Sequence, residues 1–329
     1  MLQSFLAFLG GEPGEEKQML LLLAKGFCMG VLVATYTVGS EALFLTTVGA
    51  DYLDKAFFMS GFMGILSAGL YVQMQKKINF STLVATNAFF IFFFVASIRG
   101  AFWFTDYQTD HAGFHYLPFI LFVMSGPVIS ITVLGFWGVF GRIWDLKQAK
   151  RTIGGIDTGQ LVATMIAFFS IPVLTSSGLI DETHDLLLIS SVAAFGILIF
   201  TVWIVKDYNL DSITKIRSAD KDVRKVTYRD LIQDKYLRML CIFMIFSMAS
   251  AVFSNYVFMT ATDIMYPDDN ELRTFLSFTH GTVMVVSFLI QSFINDIIIG
   301  KYGLKVSLMV MPLVLILFTV GAIFSGHMF

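Results

Sequence analysis

Long apolar runs separated by short polar segments dominate the pattern of the chain. Most runs extend over roughly 18 or more residues, the length that an α-helix needs to cross about 30 Å of hydrocarbon. The apolar–polar alternation that is typical of strands does not compete with this pattern. The pattern predicts nine membrane-spanning helices, at about residues 19–48, 53–74, 79–99, 116–141, 153–175, 185–205, 237–262, 272–298 and 304–326.

The composition favours the same class of protein. Of the 329 residues, 56% are hydrophobic and 14% are charged. Ordinary soluble domains contain about 25% charged residues, and their buried helices show amphipathic runs of about 10–14 residues. The two cysteines, Cys28 and Cys241, lie in apolar runs and give neither a disulfide framework nor a metal-ligand spacing. The predicted fold class is therefore an all-α polytopic membrane protein.

Lysine and arginine residues are concentrated on one side of this topology. Of the 22 basic residues, 17 lie in the segments that follow predicted helices 2, 4, 6 and 8. The segments on the other side are acidic instead, with residues such as Asp51, Asp106 and Asp268. Because basic loops stay in the cytoplasm, the N-terminus and the loops after even-numbered helices are predicted to be cytoplasmic.

One long polar segment divides the apolar runs into two groups. Residues 206–236 alternate in charge, which is typical of a solvated surface helix, and are predicted to form a cytoplasmic linker. Residues 1–18 are predicted to be an N-terminal interfacial segment. The linker separates a first six-helix half, residues 19–205, from a partial second half of three helices, residues 237–329.

This plan resembles the major facilitator superfamily, in which two six-helix halves are related by an axis along the membrane normal. The segment INDIIIGKYGLK, which starts at Ile294, is similar to that superfamily's loop signature of an acid, a glycine turn and paired basic residues. The cores of predicted helices 3, 6 and 9 hold no charged residue, as the resemblance implies for helices packed against lipid. It also implies that about nine transmembrane helices are present of an expected twelve, in a chain that continues beyond Phe329.

The segment RIWDLKQAKRTIGGIDTGQLVA, from Arg142 to Ala163, resembles the entry to helix 5 in the nucleotide translocase branch. That branch includes the ATP/ADP antiporters of obligate intracellular bacteria and plastids. The resemblance implies a bacterial inner-membrane location, and a C-terminal cytoplasmic domain or partner subunit as in some relatives. The exchangers carry a basic-acidic cluster late in helix 1, where this chain reads TYTVGSEALFL, with Glu41 as its one charged residue.

Polar residues inside the predicted helices are candidates for contact with a solute or a coupling ion: Glu41, Asn255, His280 and Gln291. An ionisable group in hydrocarbon is costly unless it lines a cavity or finds a partner. Predicted helix 8 has the clearest pattern, one polar face formed by Ser277, His280, Met284, Ser287, Gln291 and Asn295. This face predicts a water-filled path, and the alternative is hydrogen bonding within a sealed bundle. For Glu41, the alternatives are a coupling carboxylate, a contact to a cationic solute group, or a protonated side chain bonded to a neighbouring helix.

Charged residues near the predicted cytoplasmic ends are candidates for gates. The two sets are Asp157 with Arg142, Lys150 and Arg151, and Asp296 with Lys301 and Lys305. Each acid would pair with its cations when the cytoplasmic side closes. Alternatively, Asp157 caps the helix that is predicted to start at about residue 153. Lys25 in helix 1 is predicted to extend its ammonium group to the cytoplasmic interface.

No motif for chemistry is present: the sequence has no catalytic triad signature, phosphate-binding loop, dinucleotide fingerprint or metal-ligand spacing. We therefore expect no enzyme, cofactor, metal or nucleic-acid partner; the expected partners are the lipid bilayer and a small-molecule solute. Two functions remain. The first is a secondary transporter that moves a small polar or anionic solute, such as a nucleotide-like metabolite, by alternating access. The alternative is a non-transporting membrane anchor or signalling subunit of a larger complex.

Overall fold

The computed structural model describes residues 9–104, 116–180, 182–211 and 234–291, with eight further residues between 301 and 316. In this part of the chain, every regular element is a helix. Helices α1 to α8 correspond to the first eight predicted spans, and all eight are long and apolar enough to cross a membrane. They are α1 (Glu16–Thr47), α2 (Leu53–Lys77), α3 (Phe80–Phe104), α4 (Tyr116–Val123 and Ser125–Ile143), α5 (Leu146–Ser176), α6 (Leu186–Asp207), α7 (Lys235–Met265) and α8 (Asp269–Leu289).

The predicted fold class, an all-α polytopic membrane protein, is confirmed by this architecture. Short 3₁₀ turns, Ala50–Tyr52 and Thr183–Asp185, precede α2 and α6. Three further predictions fall largely outside the described residues: the interfacial helix within residues 1–18, most of the linker 206–236, and the ninth helix at 304–326.

Successive helices alternate in direction, so the bundle has two ends. The basic end holds the starts of α1, α3, α5 and α7, and it is joined by an ion pair of 2.7 Å between Lys17 and Asp207. The acidic end holds the starts of α2, α6 and α8. There the Ala50 N–H donates to Asp263 Oδ2 at 3.3 Å, which joins the turn before α2 to the end of α7.

Helix α1 is the centre of the bundle, since it packs along α5 and α6 and also contacts α4 and α8. Glycines on α1 allow this close packing. A Cβ atom added at Gly30 would lie 2.7 Å from the backbone nitrogen of Thr164 on α5, and one at Gly39 would lie 3.4 Å from Leu186 Cβ on α6. Between the helices, the Thr35 and Ser190 hydroxyls lie 2.7 Å apart. Small residues therefore let α1 approach two neighbours at once, as in many membrane bundles.

The other helices pack against α1 or against its neighbours. Helix α3 packs mainly against α6, α2 packs against α4, and α8 packs along α5 and α1. Phe89, Phe90 and Phe93 of α3 remain exposed, which suits a face turned toward lipid. Helix α7 is buried only near the acidic end, at Met259 and Thr262. Among the described residues, α7 therefore joins the bundle through its acidic end alone.

Helix α5 begins earlier than predicted. The Asp145 carboxylate accepts the N–H groups of Lys147 and Gln148 at 2.9 and 2.8 Å. Gln148 Oε1 in turn accepts the Asp145 N–H at 3.1 Å, which completes a capping box. The basic run from Lys147 to Arg151 lies inside the helix rather than before it. Asp157 is about three turns from the helix start, so the interpretation of Asp157 as a helix cap is wrong.

Candidate functional site

Glu41 on α1 and His280 on α8 form the central polar contact of the bundle. His280 Nε2 lies 2.7 Å from Glu41 Oε2. The Glu41 side chain is 9% exposed and the His280 side chain 22% exposed, so this contact is largely withdrawn from solvent. Both residues are candidates from the sequence, and the structure brings them together. The contact joins α8 to the central helix of the preceding six.

Aromatic rings enclose the imidazole of His280. The Phe168 ring on α5 is nearly parallel to it, with the ring centroids 5.5 Å apart, and the Phe258 ring on α7 meets it edge-on at 6.4 Å. An apolar enclosure strengthens the attraction between a carboxylate and an imidazolium, and it raises the cost of leaving either charge without a partner. The pair can therefore respond to a proton or to a charged group of a solute.

A second polar contact joins α8 to α5 nearer the basic end. Gln291 Nε2 donates to Asp157 Oδ2. Gln291 lies 11 residues after His280, which corresponds to ~16 Å along a helix. Two of the candidates from predicted helix 8 thus contact acids on α1 and α5.

The polar face of α8 points toward the other helices in its first half. Ser277 is fully buried and donates to the Arg273 carbonyl oxygen at 2.7 Å, and Met284 packs against an apolar cluster shared with α1. On the opposite face, Phe278 and Val283 are about half exposed. Ser287 is also exposed, and Asn295 lies outside the described residues. The amphipathic pattern of α8 therefore orients the helix in the bundle.

The three cations predicted to pair with Asp157 have other surroundings in this structure. The Arg142 guanidinium lies over the Phe80 ring, 3.5 Å from its centroid, and donates to the Gly138 carbonyl oxygen at 3.2 Å. Lys150 is exposed. Arg151 is held by the segment before α1, as described next. Asp157 is thus bonded to Gln291 rather than to a cation.

Residues 9–15 and Arg151 form a contact that we call the N-terminal clamp. Arg151 Nε donates to the Gly10 carbonyl oxygen at 2.6 Å, Nη2 lies 2.5 Å from Glu15 Oε2, and Nη1 pairs with Glu12. Gln148 Nε2 donates to Glu15 Oε1 at 2.9 Å. Burial alone would raise the pKa of the Glu15 carboxyl. The hydrogen bond from the Glu12 N–H and the Arg151 guanidinium outweigh burial and lower that pKa.

The remaining candidates have less defined surroundings. Asn255 on α7 is half-buried, and no hydrogen bond joins its side chain to another residue of the described ranges. The Lys301 ammonium lies 5.4 Å from the ring centroid of its neighbour Tyr302. Asp296 and Lys305 lie outside the described residues.

A polar cluster at the acidic end was not predicted from the sequence. Arg273 on α8 is fully buried; Nη2 donates to Asn270 Oδ1 at 2.5 Å, and Nη1 approaches Thr183 Oγ1 at 3.4 Å. The Thr183 hydroxyl donates to Asp269 Oδ2 at 2.5 Å. In the sequence, the cluster could have been found from Arg273, which is one of the few basic residues in the otherwise acidic segments. The cluster fixes the start of α8 to the turn before α6.

The prediction that Lys25 reaches the interface is wrong. Lys25 is 2% exposed and lines a cavity between α1, α3, α4 and α6. Its neighbours across the cavity include Asn87 and Thr201. The aliphatic part of the Lys25 side chain lies too deep between the helices for its ammonium group to reach solvent.

In the described part of the chain, eight membrane-length helices and an internal acid–imidazole contact between α1 and α8 define a multi-pass membrane protein with a polar interior contact. A family model described as TLC ATP/ADP transporter matches residues 112–329. The chain belongs to the TLC ATP/ADP transporter family, and this membership supports a transporter of nucleotide-like solutes rather than a membrane anchor. The matched region includes the whole segment from Arg142 to Ala163 that resembles the nucleotide translocases. Comparisons with curated proteins and with solved structures give no match.

Proposed function

We propose that this protein moves a small polar or anionic, nucleotide-like solute across a bacterial inner membrane by alternating access. In this proposal, the helices in residues 19–205 and those in residues 237–329 move as two halves of a major facilitator-type bundle, joined by a cytoplasmic linker. The N-terminus and the basic end face the cytoplasm, as the distribution of lysine and arginine favours. Family membership supports the solute class, and no catalytic step is part of the proposal.

The observation that carries the proposal is the contact between Glu41 and His280. If α8 moves away from α1, this contact breaks and leaves a buried carboxylate or imidazolium without its partner. That state is costly unless a solute group or a proton replaces the lost partner. Binding at the pair is thereby linked to the relative movement of the two halves.

We assign the other candidates to the path and its gates. Asn255 and Gln291 line the path on the second half, and Asp157 is a gate residue near the basic end. In another state, Asp157 exchanges Gln291 for a cation of its own half, drawn from Arg142, Lys150 and Arg151. Asp296 forms the equivalent contact of the second half, with Lys301 and Lys305.

The test is uptake of radiolabelled nucleotides into proteoliposomes that contain the full-length protein, loaded with unlabelled nucleotide or placed under a proton gradient. We expect uptake by the wild type. The uptake rate should fall about tenfold or more in Glu41→Gln and His280→Gln, because each variant lacks one partner of the pair that the transport cycle uses. Asp54→Asn, which changes an exposed acid at the start of α2, is the control and should transport normally. Failure of the wild type to move any nucleotide in any gradient would reject the proposed solute class, and normal uptake by both pair variants would reject the role of the pair.

A further inference from the structure

The cavity that Lys25 lines is separate from the proposed transport pair. It has a volume of about 20 Å³, and its polar lining consists of Lys25, Asn87, Thr132 and Thr201. Lys25 and Glu41 are 16 residues apart on α1, which places them ~24 Å apart along the helix and roughly 160° around it. The cavity therefore lies within the first six helices and does not depend on the proposed function.

Two of the four polar side chains around this cavity, Lys25 and Asn87, lack an acceptor among the described residues. The Lys25 ammonium forms no ion pair or hydrogen bond with any residue of the described ranges, although it can donate three. Asn87 Nδ2 is buried and has no acceptor either. The two threonine hydroxyls already donate within their own helices, Thr132 to the Val128 carbonyl oxygen at 2.7 Å and Thr201 to the Ile197 carbonyl oxygen at 2.6 Å. A group that completes this cavity must accept hydrogen bonds.

The size of the cavity limits the ligand. A water molecule needs a cavity of about 10–15 Å³ on this measure, so the space suits one small particle. An anion, unlike water, also balances the charge of a Lys25 ammonium buried in an apolar interior. We propose that the cavity between α1, α3, α4 and α6 binds a single monatomic anion of the chloride class, held by Lys25 and Asn87.

The proposal is tested by thermal unfolding of the purified full-length protein in detergent. The unfolding midpoint in potassium chloride is compared with that in potassium gluconate at the same ionic strength and pH. An anion that binds only the folded state raises the unfolding midpoint by mass action, so we expect a midpoint about 5 °C higher in saturating chloride. Bromide should reproduce the effect, since its charge and size are similar.

Two variants and a control identify the site. Lys25→Met removes the cation and should unfold at the same temperature in both salts. Asn87→Asp supplies a fixed carboxylate at the same cavity, and it should be as stable in gluconate as the wild type is in chloride. This variant keeps the proposal testable if Lys25→Met does not fold. Lys17→Met changes an exposed lysine on the same helix and should keep the chloride effect. Equal midpoints for the wild type in both salts, or a chloride effect that persists in Asn87→Asp, would overturn the proposal.

Discussion

Glu41 and His280 are 239 positions apart in the chain, and their side chains meet at 2.7 Å between α1 and α8. The contact lies among the rings of Phe168 and Phe258, where water cannot readily replace a lost partner. The pair therefore contributes both to the packing of α8 and to the polar interior of the bundle. Stability and transport measurements on the same variants can separate these two contributions.

We expect Glu41→Gln and His280→Gln each to lower the free energy of unfolding by about 1–3 kcal/mol, because each leaves a buried group with a weakened partner. The free energy of unfolding should fall less in the double variant than the sum of the two single losses, since the double variant leaves no charge without its partner. Denaturant unfolding in detergent gives the three values. Glu182→Gln is the control, because this acid pairs with His184 while 49% exposed, and the change should cost at most about 0.5 kcal/mol. Strictly additive losses in the double variant would contradict the contact.

The bond between Gln291 and Asp157 predicts proximity of α8 and α5 near the basic end. With Cys28 and Cys241 replaced by alanine, the variant Asp157→Cys/Gln291→Cys should be cross-linked by a short thiol-reactive reagent. Added nucleotide should slow the reaction if this contact opens during transport. The matched pair Asp54→Cys/Gln291→Cys combines residues from opposite ends and should give no cross-link. Comparable cross-linking in both pairs, measured by gel shift after proteolysis between the sites, would contradict the structure.

Arg273 is expected to fix the start of α8. Arg273→Met removes a buried guanidinium that bonds Asn270 and approaches Thr183, so the free energy of unfolding should fall by about 3 kcal/mol. Arg273→Lys should not restore it, because an ammonium cannot reproduce the planar arrangement of donors. Arg238→Met, at an exposed position of α7, is the control and should change little. Hydrogen exchange over residues 268–277 should rise in the Arg273 variants alone, and an unchanged rate there would contradict this role.

The N-terminal clamp should respond to acid. Its Glu15 carboxyl has a lowered pKa in the folded state, for which the Glu12 N–H and the Arg151 guanidinium are responsible despite burial. A lowered pKa means that the clamp stabilises the protein above the ordinary pKa of a glutamate, and that this contribution is lost as the pH falls through the lowered value. The protection of residues 9–15 against hydrogen exchange, corrected for the intrinsic pH dependence of amide exchange, should therefore decrease at acid pH. In Arg151→Gln this protection should already be low at neutral pH and depend less on pH, whereas Lys150→Gln, an exposed neighbour, should match the wild type.

The sequence predicted all eight described spans because hydropathy and length alone decide whether a helix can cross a membrane. The ends of the helices were less predictable. The start of α5 depends on the reciprocal bonds between Asp145 and Gln148, which hold a basic, glycine-containing segment in a helix. The predicted span began at about residue 153, and two local hydrogen bonds start the helix earlier.

The residues of the two internal polar contacts are candidates from the sequence, but which residue contacts which was not predictable. Periodicity identified His280 and Gln291, and the cost of a charge in hydrocarbon identified Glu41. Their partners depend on how α1, α5 and α8 pack, which a one-dimensional pattern does not contain. For the same reason, Lys25 was assigned to the interface from its position along α1, although three neighbouring helices cover it. Depth in the membrane can be read from sequence, whereas the neighbour across a helix interface cannot.

The close approach of α1 and α5 gives a matched pair of glycine variants. A Cβ atom at Gly30 would lie 2.7 Å from Thr164 N and 2.8 Å from Thr164 Oγ1, so Gly30→Ala must push the helices apart. We expect it to lower the free energy of unfolding by about 1–3 kcal/mol. At Gly64 in α2, an added Cβ meets nothing within 4 Å among the described residues. Gly64→Ala should therefore be neutral or stabilise the protein by up to about 1 kcal/mol, since alanine favours helix more than glycine does. Unfolding midpoints that shift in the same direction and by the same amount in both variants would contradict the packing of α1 against α5.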